Sequence, residues 1–245
     1  MTGPPDPLSL ADQRVLVLGG TSGIGLATAR AFREAGSAVA IAGRNAARGA
    51  EAAAMTRTTF LRCDASEPAQ VEALVATAAG TLGGIDTLVV STGGTRLPEL
   101  LFRQSLDDIR TGLLHDLAPV LYAGRAVLPA MMEAGRGSIV NVASDAGKLA
   151  TPGESVIGAG MAAIIQFTRT LAMEAKRNGI RANVITPSLV EGTPLTERLM
   201  EDGTFSSKLF AKARPLAALG PTGAEDLAAL ALFLASPEAR RITGQ

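Results

Sequence analysis

The sequence predicts an α/β fold, a doubly wound parallel sheet with helices on both faces, formed by a single domain over residues 1–245. Short runs rich in Val, Ile and Leu alternate with longer Ala-rich amphipathic stretches. This alternation is typical of strand-helix units around a sheet that is buried on both faces. A length of 245 residues with 47% hydrophobic content is enough to build one such core.

The apolar runs and the glycines after them place the individual elements. Gly36, Gly135 and Gly179 each lie just past a predicted helix, where a left-handed residue is favoured. Between Pro187 and Pro215 the pattern dissolves, which predicts a functional lid or a mobile loop. The predicted strands are Val15–Leu18, Ala38–Ala42, Thr59–Arg62, Thr87–Val90, Ser138–Val142 and Arg181–Ile185, and the predicted helices are Gly23–Ala35, Glu67–Ala79, Gln104–Glu133, Glu154–Asn178 and Ala224–Ala235.

The composition excludes several classes of function. Lys and Arg together number 23, as do Asp and Glu, so the chain carries no net charge that would favour a nucleic-acid or membrane partner. A single cysteine, Cys63, and a single histidine, His115, predict no metal site. The N-terminus lacks the pattern of a signal peptide, and no run of about 18 apolar residues occurs. We therefore expect a cytoplasmic protein that binds a small molecule or another protein.

A glycine-rich segment follows the first predicted strand, in "VLVLGGTSGIGLATARAF". Glycines between a buried strand and a helix let backbone amides and the helix N-terminus approach a pyrophosphate. The sequence therefore predicts a Rossmann-like nucleotide loop, although a tightly packed turn without a ligand is the alternative. The candidate cofactor-binding residues of the loop are Gly19, Thr21, Ser22, Gly23, Ile24 and Gly25.

The end of the second predicted strand indicates which dinucleotide the loop would hold. The segment "AIAGRN" has no acidic residue to accept the ribose 2′-hydroxyl, but it contains Arg44, which suits a 2′-phosphate. This favours NADP over NAD, with NAD still possible. A solvated surface arginine is the alternative, and cofactor binding itself stays an expectation.

Several motifs in the same order resemble the short-chain dehydrogenase/reductase family over almost the whole chain. The resemblance implies the strand order 3-2-1-4-5-6-7, with Asp64 near the adenine and the Pro187–Thr193 region near the nicotinamide carboxamide. It also implies oligomers built on the two long helices that begin near Gln104 and Glu154. The matching segments are "GGTSGIG" at Gly19–Gly25, "CDAS" at Cys63–Ser66, "GSIVNVAS" at Gly137–Ser144, "GIRANVITPS" at Gly179–Ser188, Thr193-Pro194 and the final "FLASPEARRITGQ".

Other family positions have changed. Leu18 replaces a Thr ahead of the first glycine, and the signature "NNAG" is altered to Ser91-Thr92-Gly93-Gly94, whose Gly93 remains a candidate cofactor contact. Family members continue from "ITGQ" into a last strand at a subunit interface, whereas this chain ends at Gln245. If that strand is absent, a sheet edge is left open. If the chain is trimmed, its ending at Gln245 carries no structural conclusion.

The family's catalytic residues are mostly replaced. Members use a Tyr as acid-base group, a Lys four residues later, a Ser that steadies the substrate oxygen and an Asn on the preceding helix. By position the Ser is retained as Ser144, while Ile157 stands at the Tyr, Met161 at the Lys and Asp116 at the Asn. An isoleucine and a thioether can neither donate a proton nor carry a positive charge.

Other groups could supply the missing chemistry. Asp145, Lys148 and Glu154 follow Ser144 and are candidate replacement acid-base groups, or charges of a solvated loop. Tyr122 lies about 120° around the helix from Asp116, so it cannot simply stand in for the missing tyrosine. It lies about 10 Å along the helix from His115, so these two residues form no obvious dyad. Pro119 predicts a local kink that could aim His115 or Asp116 at the cofactor, or merely a bent helix.

Ile157 and Met161 have two interpretations. They either extend the apolar packing of a helix that no longer serves catalysis, or they wall an apolar pocket for a ligand handled without proton transfer.

Three functions therefore stay open. The first is a catalytically silent subunit, paired with an active paralogue through the long helices. The second is an NADP(H)-dependent oxidoreductase of the carbonyl or 3-oxoacyl reductase type, with a proton path through Asp116, Asp145, Lys148 or Glu154. The third is a non-redox enzyme that uses the old pocket. The fold by itself does not decide among them.

Overall fold

The computed structural model describes residues 10–94 and 96–245 and contains the predicted parallel sheet. All pairings are parallel and the strand order is β3-β2-β1-β4-β5-β6. The direction of winding reverses between β1 and β4, so a crevice opens beyond their carboxyl ends. The strands are β1 Arg14–Leu18, β2 Ala38–Gly43, β3 Thr59–Arg62, β4 Thr87–Val90, β5 Gly137–Val142 and β6 Ile180–Ile185.

Helices cover both faces of the sheet, as predicted. Alternate residues of β1 show the division, since Leu16 and Leu18 belong to one buried cluster and Val15 and Val17 to the other. The first cluster packs under α3, α4 and α5, and the second under α1, α2 and α8. The helices are α1 Gly23–Glu34, α2 Ala46–Thr56, α3 Pro68–Leu82, α4 Leu106–Ala134, α5 Ser155–Ala175, α6 Pro194–Leu199, α7 Phe205–Ala213 and α8 Ala224–Ala235.

Two segments differ from the sequence prediction. Helix α2 was not predicted, because its Ala-rich sequence carries only a narrow apolar stripe; its start is capped by the Asn45 side chain, which accepts a hydrogen bond from Arg48 N at 3.0 Å. The segment 187–215, predicted as a lid or loop, instead contains α6, α7 and β7 (Val190–Glu191), which pairs with β8 (Thr222–Gly223).

The structure confirms the backbone conformation predicted for three glycines that follow helices. Gly36, Gly135 and Gly179 have φ values of 93°, 65° and 73°, which confirms their left-handed conformation after a helix. Helix α4 continues through Pro119 and Pro129 over 29 residues, so Pro119 does not end it.

The end of the chain lies against the outer edge of β6. Gly244 N donates to Ala182 O, and Val184 N donates to Gln245 O, each at 2.8 Å. Among the described residues the sheet has six strands, not the seven that the resemblance implied, but these last residues pair with part of the edge.

Helix α5 with the turn after it, Ser155–Asn178, is the one described helix whose length and mean hydropathy of 1.4 would allow it to cross a membrane. It packs against α4 and β6 as a layer of the sheet fold.

The amino ends of the strands are closed by an ionic cluster. The Asp86 carboxylate, 4% exposed, accepts hydrogen bonds from Arg14 N, Nε and Nη2 at 3.1, 2.7 and 2.8 Å, and from Arg136 Nε at 3.0 Å. Burial opposes ionisation, but the hydrogen bonds from Arg14 and Arg136 outweigh it, so the pKa of Asp86 is lowered.

Candidate active site

The loop between β1 and α1 is packed so closely that only glycine fits at two of its positions. Gly19 has φ 85°, and a Cβ there would overlap the Ser91 carbonyl oxygen. A Cβ at Gly25 would overlap the carbonyl oxygen of Gly19. Gly25 therefore packs directly against the backbone of Gly19, whereas Gly23, with φ 51°, faces the side chain of Thr193.

A groove with two connected lobes runs along the carboxyl edge of the sheet, and nearly all predicted site residues meet there. The smaller lobe has a volume of about 150 Å³ and the larger of about 600 Å³. Of the predicted cofactor residues only Gly25 does not line the groove. Those that do are Gly19, Thr21, Ser22, Gly23, Ile24, Arg44, Asp64, Gly93, Pro187 and Thr193.

The smaller lobe, here called the nucleotide lobe, carries two arginines. Arg44 and Arg48 both line it and both are exposed. Asp64 lies opposite; the hydrogen bond from Ser66 Oγ at 2.7 Å and the Arg44 charge lower the pKa of its carboxyl group. His115 also lines this lobe, which places it away from the retained serine position.

Unsatisfied polar groups in the wall between the lobes suit a bound dinucleotide. Thr92 Oγ1 is buried without a hydrogen-bond partner, and a buried hydroxyl in that state is costly unless a ligand satisfies it. The glycine loop, the α1 N-terminus and this hydroxyl line one groove, so the residues present fit a pyrophosphate and ribose.

The larger lobe, here called the cleft, holds Ile157 and Met161, the positions predicted to replace the family's tyrosine and lysine. Ile157 and Met161 both line it, and both also pack on the core cluster beneath α5, where Met161 is 8% exposed. These side chains therefore extend the core and also form part of the cleft wall.

Asp116 lies in the cleft wall and is 5% exposed. It approaches two glycines, since a Cβ built on Gly93 would lie 3.5 Å from Asp116 Oδ1 and one on Gly160 would lie 3.8 Å from Asp116 Cβ. Burial raises the pKa of the Asp116 carboxyl group, against the smaller opposing effects of Arg96 and His115.

Ser144, Asp145 and Glu154 all line the cleft. Ser144 Oγ donates to Asp145 Oδ1 at 3.3 Å and accepts from Ala146 N at 3.2 Å. Glu154 occupies the N-cap position of α5; burial and the Asp145 charge raise the pKa of its carboxyl group, against a hydrogen bond from Thr151.

The remaining candidates lie elsewhere. Lys148 is exposed, and its Nζ donates to Thr186 Oγ1 at 2.6 Å, so it is not among the residues that line the cleft. Tyr122 packs against the core beneath α4 and does not replace the missing tyrosine.

Sequence reasoning missed two arginines and the cover of the cleft. Arg48 lies in the first turn of α2, and the Asn45 cap was the signal that could have revealed it. Arg96 follows the altered glycine signature but belongs to no motif. Leu195 and Phe210, from α6 and α7, close the cleft from the segment predicted as a lid or loop.

Comparisons with known proteins show which family the chain belongs to. A family model described as enoyl-(acyl carrier protein) reductase matches residues 19–245. A 3-oxoacyl-[acyl-carrier-protein] reductase, FabG of Chlamydia pneumoniae, is 35% identical over 97% of this chain and 95% of its own length. The chain belongs to the short-chain dehydrogenase/reductase family. Members of this oxidoreductase family use NAD or NADP.

Two further relatives show how widely the fold and sequence are shared within the short-chain dehydrogenase/reductases. The 4-formylbenzenesulfonate dehydrogenase TsaC1/TsaC2 of Comamonas testosteroni is 33% identical over 97% of this chain and 96% of its own. The crystal structure of a putative short-chain alcohol dehydrogenase from Sinorhizobium meliloti 1021 superposes with a TM-score of 0.88 at 27% identity, covering 98% of this chain and 95% of that one.

Proposed function

We propose that this chain is an NADP(H)-dependent oxidoreductase in which Glu154 carries out the proton transfer that a tyrosine performs in other members of the family. The observation that supports this most is the position of Glu154, a half-buried carboxyl group that lines the same cleft as Ser144, Ile157 and Met161 and whose pKa is raised by burial. Glu154 also precedes Ile157 by three residues, which is about one helical turn.

When bound, NADPH would supply a hydride to the carbonyl carbon of the substrate. Glu154 in its protonated form donates a proton to the carbonyl oxygen, and the Ser144 hydroxyl hydrogen-bonds to the same oxygen. Burial and, to a smaller extent, the negative charge of Asp145 raise the pKa of Glu154, which favours the acid form that this step needs. In the reverse direction the Glu154 carboxylate accepts the alcohol proton. Arg44 and Arg48 are the residues that would hold the 2′-phosphate.

The test is NADPH oxidation with a panel of aldehydes, ketones and 3-oxoacyl thioesters. We expect Glu154→Gln to lower kcat by about 10²- to 10⁴-fold while NADPH binds with unchanged affinity. Reduction should slow as the pH rises through the raised pKa of Glu154, because the acid form is consumed. The matched control is Glu72→Gln on the exposed side of α3, which should retain full activity. Full activity of the Glu154 variant would contradict the proposal.

A second candidate is a subunit that binds the nucleotide without turnover, in complex with an active paralogue. Met161 favours it, since a buried thioether stands where the family places a charged lysine. The double variant Ile157→Tyr with Met161→Lys separates the two candidates. Reduction that appears only in this variant supports the silent subunit, and conversion of a substrate without any cofactor points to the non-redox alternative.

We also propose that the chain forms oligomers through α4 and α5. Large apolar side chains lie exposed on these helices, among them Leu106 at 85%, Leu114 at 45% and Met173 at 63%. Sedimentation velocity of the purified chain tests this, alone and with an active paralogue. A monomer in both samples would contradict it.

A further inference from the structure

Arg96 is a charged side chain of the cleft that the proposed proton transfer does not use. It lies after the altered glycine signature, is half-buried, and lines the larger lobe rather than the nucleotide lobe. A positive charge that is partly removed from water is costly unless a negatively charged or polar group compensates it, so the partner of this guanidinium has to be identified.

The guanidinium is seated in a hollow that a glycine creates. Gly112 lies in the interior of α4 and has no left-handed conformation to explain it, yet a Cβ there would overlap the Arg96 guanidinium. Glycine inside a helix costs about 1 kcal/mol relative to alanine. Gly112 is therefore the position that allows Arg96 to lie against α4.

A second contact orients the group. Arg96 Nη2 donates to Gln104 Oε1 at 2.7 Å, and Gln104 Nε2 in turn donates to Glu99 O at 2.6 Å. Because Gln104 Nε2 donates to Glu99 O, the amide is oriented with its Oε1 toward the arginine.

Arg96 forms no close ion pair, since within residues 10–94 and 96–245 no carboxylate lies within 4.0 Å of it. Its Nη1 lies in the Gly112 hollow, buried and without a hydrogen-bond partner, so this atom is not the donor available to a ligand in the cleft. Asp116 and Asp108 act on the charge over longer distances, and Asp108 is itself held by Ser105 Oγ at 2.6 Å. An oriented guanidinium in the cleft wall that forms no close ion pair suits an anionic ligand.

We infer that Arg96 binds a carboxylate of the substrate, so that the cleft accepts a carbonyl compound that is also an acid. The remaining cleft wall around it contributes apolar surface for the body of such a molecule, from Pro98, Leu195 and Phe210. This substrate class rests on the proposed oxidoreductase function, but the binding site itself does not require turnover.

The experiment measures binding of matched acids and esters by calorimetry, with and without NADP, a form of the cofactor that cannot reduce them. The probes are 4-oxopentanoate and 4-formylbenzoate, each compared with its methyl ester. We expect the acids to bind about 10- to 100-fold more tightly than the esters, the range for a hydrogen bond to a charged group.

Three variants locate the effect. Arg96→Gln should abolish the preference for the acids. Gly112→Ala should abolish it too, since the new methyl group displaces the guanidinium while the charge and the helix are kept. Arg103→Gln is the matched control, because this nearby arginine is exposed beside Phe102 and outside the cleft, and its loss should leave the preference intact.

The inference is overturned if acids and esters bind the wild-type chain equally, or if the preference persists in both Arg96→Gln and Gly112→Ala. Its failure is distinct from failure of the proposed function. NADPH turnover without a preference for acids removes Arg96 as the binding group and leaves the oxidoreductase. A preference for acids that depends on Arg96, with no NADPH turnover on any carbonyl compound, leaves the binding site and removes the reaction.

Discussion

The two ends of the parallel sheet treat buried charge in opposite ways. At the amino end, Asp86 accepts four hydrogen bonds from two arginines and its pKa is lowered. At the carboxyl end, Asp116 and Glu154 have raised pKa values and Arg96 lies beyond 4.0 Å of any described carboxylate. Charges that face partners within the chain stabilise the fold, whereas charges without them are available to a ligand.

The largest effect is expected from removing the Asp86 carboxylate at the amino end of the sheet. Asp86→Asn leaves Arg14 and Arg136 without their carboxylate and should lower the free energy of unfolding by about 2 kcal/mol, below the range for a fully buried ion pair because the two arginine side chains are 26% and 66% exposed. Urea unfolding measures it, and NADPH affinity in the absence of urea should not change. A loss below about 1 kcal/mol would contradict the role assigned to this cluster.

The next prediction concerns pH. Because the pKa of Asp86 is lower in the folded chain than its ordinary value of 3.8, its stabilisation is complete above about pH 4 and is lost as the pH falls toward the folded pKa. The raised pKa values of Asp116 and Glu154 act with the opposite sign, since protonation on acidification favours the folded state. The unfolding free energy of Asp86→Asn should therefore decline less below pH 4 than that of the wild type, measured by urea unfolding at several pH values.

A smaller effect tests the nucleotide lobe at the open end. Arg48→Gln should weaken NADPH binding about fivefold, which corresponds to about 1 kcal/mol for an exposed charge pair, and should leave NADH binding unchanged. Fluorescence titration with both dinucleotides checks this. An equal loss for NADH and NADPH would mean that Arg48 does not recognise the 2′-phosphate.

The smallest effect is expected at Asp116, where the change in the free energy of unfolding should differ in sign from that at Asp86. Asp116→Asn removes a buried carboxyl group that receives no hydrogen bond from the described residues and should leave the free energy of unfolding unchanged or raise it by about 0.5 kcal/mol at pH 7. The same substitution at Asp86 destabilises the chain. If both variants lose stability equally, the two ends do not differ in the way proposed here.

The fold could be predicted from sequence wherever one local signal was strong. Strands Thr59–Arg62 and Thr87–Val90 and helix Ala224–Ala235 have the predicted bounds, since apolar runs and flanking turn residues mark them. Helix α2 was missed because alanine-rich helices carry little periodicity. Helices α6 and α7 were missed because they are short and mixed in charge, so packing over the cleft stabilises them rather than local pattern.

The residues of the candidate site also divide into those that sequence could predict and those that it could not. The sequence indicated the glycine loop and Arg44 by local motif, and the register from Ser144 to Ile157 and Met161 by family spacing. It could not choose among the replacement acids, because that choice depends on burial. The structure places Glu154, Asp145 and Asp116 in the cleft wall and Lys148 against Thr186.

By itself the sequence determined the parallel sheet and the glycine-rich loop, and it predicts the replacement of the tyrosine and lysine, because each depends on residues that are adjacent or regularly spaced along the chain. Only the tertiary structure decided which charges are paired. Arg96 and Gly112 are sixteen residues apart and meet because a loop lies against α4, while Asp86 meets Arg14 and Arg136 because three strands begin at one edge. Electrostatic energy depends on distance and burial in space, and neither can be read from separation along the chain.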